Sequence, residues 1–171
     1  MISKKVEEAI NLQIKEEEHS SRIYLAMASW CEANGYPGAA SFFYRQTLEE
    51  RFHALKFIQY VNERGGHAVL KSLPEPISKF NHIIDLFKET LKHEEFITSC
   101  INNLYEVTGQ EKDFTTQTWL QFFITEQIEE ESTVRGILDK FEMVGDNKSG
   151  YYLLDQELAV LGARPVGVPA A

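Results

Sequence analysis

Cysteine is scarce in this 171-residue chain: Cys31 and Cys100 are the two present, both inside helical segments and in no Cys-x-x-Cys pattern. That argues against a disulfide framework or a reactive pair and reads as two reduced, partly buried thiols. Five prolines and ten glycines are few for this length, which disfavours a many-turned β-protein and favours long regular segments. No uncharged apolar run is long enough to cross a bilayer. The opening Met-Ile-Ser-Lys-Lys leads straight to Glu7 and Glu8, without the apolar core of a signal peptide. The expectation is a soluble, cytoplasmic protein. Positive charge is also short, with 17 Lys and Arg against 26 Asp and Glu, a net charge of −9. The basic residues are scattered and form no stripe, which argues against nucleic acid and anionic membranes as partners. Negative charge is the right sign for collecting cations. What the chain does have, 43% apolar and 25% charged residues, suits one domain with a sizeable core. The expected fold class is all-α.

With glycines used as stops, four long helical patterns emerge, at about 4–34, 39–64, 81–108 and 114–144. A shorter fifth follows at about 150–161, then a tail over 163–171 expected to be flexible. No repeat and no second domain is visible, so 1–171 reads as one domain with its bundle over about 4–145. The first and second helices, and the third and fourth, are joined by only a few residues, so each pair is an antiparallel hairpin. Between the second and third lies GGHAVLKSLPEPISKF, with two prolines and no helical period. A helix of roughly 26 residues is about 40 Å long, and 16 extended residues reach about 50 Å. The link is therefore long enough to run the length of the bundle and set the second and third helices parallel. A surface loop in an up-and-down bundle is the other reading.

Apolar stripes at about 100° per residue contain acids. In the first helix Glu17 falls among Val6, Ile10, Ile14, Tyr24 and Ala28. In the second, Glu50 lies among Phe43, Thr47, Ala54, Phe57 and Val61, with His53 on the flank. Ile83, Phe87, Ile97, Ile101 and Tyr105 enclose Glu94, while Phe123, Val134, Ile137 and Phe141 surround Gln127 and Glu130. One inward glutamate can be a side chain lying along apolar surface to reach water. Four near mid-helix cannot all be, because unpaired buried carboxylates each cost several kcal/mol and repel one another. Their stripes hold no lysine or arginine. Protonation or bound cations remain, and His53, three residues from Glu50 on the same face, favours cations. Oxygen-rich ligands with one imidazole suit iron or manganese better than structural zinc. Two divalent ions would match the four negative charges.

Glu17 with Tyr24 seven residues on, Glu50-Arg-Phe-His53 preceded by Glu49, Glu94, and Glu126-Gln127-Ile-Glu129-Glu130 resemble the pattern of bacterial non-haem ferritins, from the first helix through the fifth. The resemblance implies a ferritin-like four-helix bundle with one long crossover and a short C-terminal helix. It implies a ferroxidase centre with Glu17, Glu50 and His53 at one iron, and Glu50, Glu94, Glu130 and Gln127 at the second. It further implies a third iron site from Glu49, Glu126 and Glu129, with Glu130 shared. Glu49 and Glu129 fall at the edge of their stripes, and a solvated acidic face is the alternative there. Tyr24 resembles the family's tyrosine beside the centre, a hydrogen-bond partner or electron donor; a plain core tyrosine is the alternative. Trp119 reads as packing before electron supply.

Bacterioferritins carry a second Glu-x-x-His, where this chain has Gln127-Ile-Glu129-Glu130, an exchange that should loosen the second ion. Their haem-ligating methionine follows the second-helix glutamate, and here that position is Arg51, so no haem is expected. His19, His67, His82 and His93 match no ligand position, and a surface location is expected for each. The implied function is oxidation of Fe(II) by O₂ or H₂O₂ and storage of the ferric mineral in a homo-oligomeric shell of 24 subunits. The fifth helix, apolar through Tyr151, Tyr152, Leu153, Leu154, Leu158 and Leu161, would pack against symmetry mates or back on its own bundle. The rival readings are a discrete di-iron oxidase or peroxide-reducing protein without mineral, and a metal-free helical interaction module.

Overall fold

Helix starts are set by side chains that take up the free N–H groups of the first turn. The structure, a computed structural model, describes residues 1–166. Its helices are α1 (Lys4–Ala33), α2 (Pro37–Glu63), α3 (Ile83–Gln110), α4 (Phe114–Val144) and α5 (Lys148–Gly162). The architecture is all-α, with no strand among the described residues. Ser3 Oγ accepts from the Val6 N–H at 3.3 Å and so begins α1. Asp113 does the same for Thr116 at the start of α4, and Asp85 reaches back to the His82 N–H ahead of α3. Asn147 Oδ1 accepts from Ser149 and Gly150, which brings the start of α5 forward to Lys148.

The start of α2 has a different cause. Pro37 occupies the first turn, where its missing N–H costs nothing. The next two N–H groups, of Gly38 and Ala39, donate to the Asp155 carboxylate of α5 at 2.9 and 2.8 Å. A Cβ at Gly38 would sit 1.7 Å from the Asp155 carbonyl oxygen, so only glycine lets α5 come that close. At the other ends, Gly35, Gly65 and Gly145 take positive φ, as stop glycines do. Gly109 is not a stop: α3 continues to Gln110, and Lys112 carries the positive φ instead. Gly109 lies against the Gln117 side chain of α4, where a Cβ would come within 2.7 Å.

The 64–82 link runs along α1. The His67 carbonyl and Val69 N–H are held by Asn11 near one end of that helix, and Phe80 packs on Trp30 near the other. The third helix therefore begins at the end where α2 begins, as Phe87 against Phe43 at 5.1 Å requires, and α2 and α3 are parallel. This is the ferritin-like bundle with a long crossover.

Two apolar clusters fill the bundle. One contains Tyr24, Met27, Phe42, Phe43, Phe87 and Phe141, joined by Leu154 and Leu158 of α5. The other contains Val6, Ile10, Ile14, Phe57, Val61, Ile97, Ile101 and Phe123. Each fully buried large side chain contributes about 1.5–3 kcal/mol, so both ends are firmly closed and the polar layer between them is held in place. The fifth helix packs on its own bundle, with Tyr151 and Leu161 against the first cluster, and leaves Tyr152, Leu153 and Val160 exposed. Of the tail expected to be flexible, Ala163 and Arg164 still donate N–H bonds to Ala159 and Leu161; residues 167–171 lie outside the described residues.

Candidate metal centre

Between the two apolar clusters, one residue layer from each long helix is polar. Glu17, Glu50, His53, Glu94, Gln127 and Glu130 are all buried there, none more than 9% exposed. Helical geometry puts them there, since each occupies a stripe position whose neighbours three, four or seven residues away are core. Glu17, Glu50 and His53 offer ligand atoms that all lie within 4.8 Å of one another. His53 Nδ1 is 3.9 Å from Glu17 Oε2 and 3.7 Å from Glu50 Oε2. Glu17 Oε2 and His53 Nε2 are buried without a hydrogen-bond partner. Orphaned atoms of this kind in a sealed layer are costly unless something else satisfies them.

The other half of the layer is held apart by hydrogen bonds. Tyr24 donates its hydroxyl to Glu94 Oε1, and Gln127 Nε2 donates to Glu94 Oε2 at 3.1 Å and approaches Thr98 Oγ1 at 3.3 Å. Gln127 thus keeps its carbonyl oxygen as its one ligand-type atom. Glu130 Oε2 accepts from Gln46 Nε2 at 2.8 Å, and Glu17 Oε1 accepts from Gln13 Nε2 at 2.8 Å. Neither glutamine is a stripe acid, so reading the chain for carboxylates and histidines misses both. The available signal is position: Gln13 precedes Glu17, and Gln46 precedes Glu50, by one helical turn.

The electrostatics follow from burial. Desolvation pushes the Glu17 carboxyl well above its usual range, and Glu50 beside it adds to the effect. Glu50 and Glu130 are also driven well up, first by burial and then by Glu94. Glu94 rises through burial, with the Tyr24 and Gln127 hydrogen bonds opposing. The Tyr24 phenol is raised by burial and by the Glu94 and Glu50 charges. Burial thus favours the protonated form of these carboxyls when no cation is present, and a cation can replace the protons. The donor set, four carboxylates, one imidazole and one amide oxygen, fits iron.

Residues of the expected third site behave differently. Glu49 and Glu126 are buried, so the alternative of a solvated acidic face does not hold for Glu49; Glu129 is half-buried. Glu49 is paired with Arg45, at 2.8 Å. Among the described residues, only Glu17, Glu50 and His53 form a closed group of three or more potential protein ligands, so the second and third sites are not preassembled.

Two histidines expected at the surface, His19 and His93, are half-buried instead. His93 is packed between α1 and α3, with Nε2 2.7 Å from Ser20 Oγ and its ring against Tyr24. Burial, then His19, lowers its pKa to about 4. His19 is half-buried beside it, whereas His67 and His82 are exposed. Trp119 stacks on Tyr60 at 3.9 Å and abuts Phe57 and Phe123, a packing role. Arg51 points to Glu18 on α1.

Known proteins with this arrangement are numerous. Residues 7–144 match the Ferritin-like domain family. The bacterial non-heme ferritin of Campylobacter jejuni is 41% identical over 91% of this chain and 93% of its own length. That of Staphylococcus haemolyticus is 40% identical over 93% and 96%. Among solved structures, an open-pore ferritin from Archaeoglobus fulgidus superposes with a TM-score of 0.92 at 37% identity, covering 96% of this chain and 98% of that one. A humanized archaeal ferritin gives 0.94 at 36%, covering 98% and 100%. Sequence and fold thus agree, and the chain belongs to the ferritin family.

Proposed function

We propose that this protein stores iron, oxidising Fe(II) at the buried layer and keeping the ferric product as mineral inside a shell of identical subunits, 24 by the family's habit. The observation that carries the reading is the Glu17–Glu50–His53 group, with ligand atoms gathered within 4.8 Å, His53 Nδ1 turned towards both carboxylates and Glu17 Oε2 buried without a hydrogen-bond partner. Glu17, Glu50 and His53 hold one Fe(II). Glu50 reaches across to a second, held with Glu94, Glu130 and the Gln127 oxygen. Each Fe(II) supplies one electron, and the pair reduces O₂ or H₂O₂ by two.

The chain's own residues supply geometry, charge and proton traffic. Carboxyls that hold protons when metal-free release them as cations enter, so uptake is coupled to proton loss. Tyr24, donating to Glu94, orients that carboxylate and stands next to the centre as an electron donor. Carboxylates shift between bridging and terminal binding as charge grows. Gln127, a neutral amide where related di-iron proteins place an imidazole, keeps the second ion loosely held, as suits a substrate in transit. Glu49, Glu126 and Glu129, with Glu130, form the third site beside the pair. The cytoplasm is the compartment this reading assigns. Tyr152, Leu153 and Val160 offer neighbouring subunits an apolar face.

The test is aerobic loading of metal-free protein with Fe(II) far beyond the site stoichiometry, followed by size exclusion. Storage predicts iron that stays in solution and elutes with a particle of several hundred kilodaltons. Precipitated iron, or a particle of monomer or dimer size, rejects it.

A further inference from the structure

Arg45 holds two of the four third-site carboxylates at once. Its Nη1 lies 2.8 Å from Glu49 Oε2, and its Nη2 donates to Glu49 Oε1 at 3.1 Å. The same Nη1 donates to Gln46 Oε1 at 2.8 Å, which turns the Gln46 amide so that Nε2 donates to Glu130 Oε2 at 2.8 Å. One guanidinium therefore grips Glu49 directly and Glu130 through Gln46. Glu130 belongs to both the second and the third site, so the clamp spans the boundary between them.

The position is not a comfortable resting place for an arginine. Its Nε is buried without a partner, a cost accepted only because the guanidinium neutralises an acid that is 2% exposed. The contact to Glu49 Oε2 is an ion pair without hydrogen-bond alignment. An alternative lies next door. Arg45 also borders an open cavity of about 340 Å³ lined by Glu32, Ser41 and Tyr44, where Glu32 already accepts from the Tyr44 hydroxyl. A second acid and a wet space are thus beside the side chain. Glu126, on the facing helix, has Lys56 in its field rather than in contact, and Arg45 is the cation that touches Glu49.

We propose that Arg45 is a resident counter-ion of the third site: it occupies Glu49 when iron is absent and must swing towards Glu32 when a third cation binds. This rests on the third-site reading above. The arginine competes with the cation for the same carboxylate, keeping the third ion weakly held. Its departure also loosens Gln46 and frees Glu130 to turn from the pair towards the third site. Arrival of a third ion and release of the second are thereby linked through one side chain.

The experiment is anaerobic equilibrium binding of Fe(II) alone to the intact metal-free protein, counting ions per subunit. Arg45→Gln should tighten the third ion at least about tenfold, weaken the second as Glu130 is freed, and leave the first, which Glu130 does not touch, within about twofold. Arg45→Lys keeps the charge but only a single point of contact, so it should fall between, and it decides the matter if Arg45→Gln does not fold. Adding Glu49→Gln to Arg45→Gln should abolish the gain. A third ion appearing only in Arg45→Gln would support the competition in its strongest form. A third ion bound equally or less tightly in the variants overturns the role of Arg45 while leaving the third site standing. No third ion in any of these proteins overturns both.

Discussion

Replacing Glu50 by glutamine should stabilise the metal-free protein and abolish the Fe(II) oxidation proposed for it. Glu50 is buried at the centre of the layer, and its charge helps to raise Glu17 and Tyr24. Carboxyls driven above the ordinary value of 4.5 in the fold are ionised at lower pH once unfolded. Above about pH 4.5 the native state therefore binds more protons than the unfolded chain, and stability falls as pH rises through the raised values. Each carboxyl that retains its proton contributes a slope of about 1.4 kcal/mol per pH unit. Glutamine keeps the shape, cannot ionise, and can donate its amide to Glu17. Removing a carboxyl that the fold holds protonated but the unfolded chain ionises should return about 1–3 kcal/mol near pH 7.5, or about 2–12 °C in a chain of this size. The assay is thermal melting of chelator-treated protein at pH 4.5 and 7.5, wild type beside Glu50→Gln. The gap should be wide at pH 7.5 and close towards pH 4.5, where both proteins carry a neutral group. A variant no more stable than wild type at pH 7.5, or a gap independent of pH, would refute the electrostatic reasoning.

Three further outcomes are expected. His53→Ala should remove the tighter of the two anaerobic Fe(II) sites, lowering its affinity at least about tenfold, as read by calorimetric titration. Tyr24→Phe should leave both Fe(II) ions bound, because the phenol is no ligand, yet slow oxidation severalfold in stopped-flow absorbance as Glu94 loses its donor. Asp155→Ala should cost about 1–2 kcal/mol by orphaning the Gly38 and Ala39 N–H groups. It should also open α5 to protease before the bundle is cut, and unchanged cleavage would contradict its docking role.

The inward placement of Glu17, Glu50, Glu94 and Glu130 was legible because a straight helix repeats its face with fixed period, and each acid interrupts an otherwise apolar stripe. Topology was legible for a similar reason: the prolines in 65–80 rule out a helical link, and chain length sets what it can span. Residues at the stripe margin were not. Glu49 and His93 lie about where a helix turns from core to surface, and whether such a position is buried depends on how closely the neighbouring helix leans. Arg45 and Gln46 matter through contacts to Glu49 and Glu130, and Glu130 is supplied from a helix far along the chain. The start of α2 was hidden because Gly38 and Ala39 are capped by a residue more than a hundred positions away. Gly109, read as a stop, instead serves close approach to Gln117.

The most direct measurement is anomalous diffraction at the iron edge from crystals soaked anaerobically in Fe(II). The account predicts two neighbouring peaks in the sealed layer, one beside the imidazole of His53 and one between Glu94 and Glu130, with Glu50 touching both. Clean maps without peaks there, and those acids still bonded only to Tyr24, Gln46 and Gln127, would contradict it.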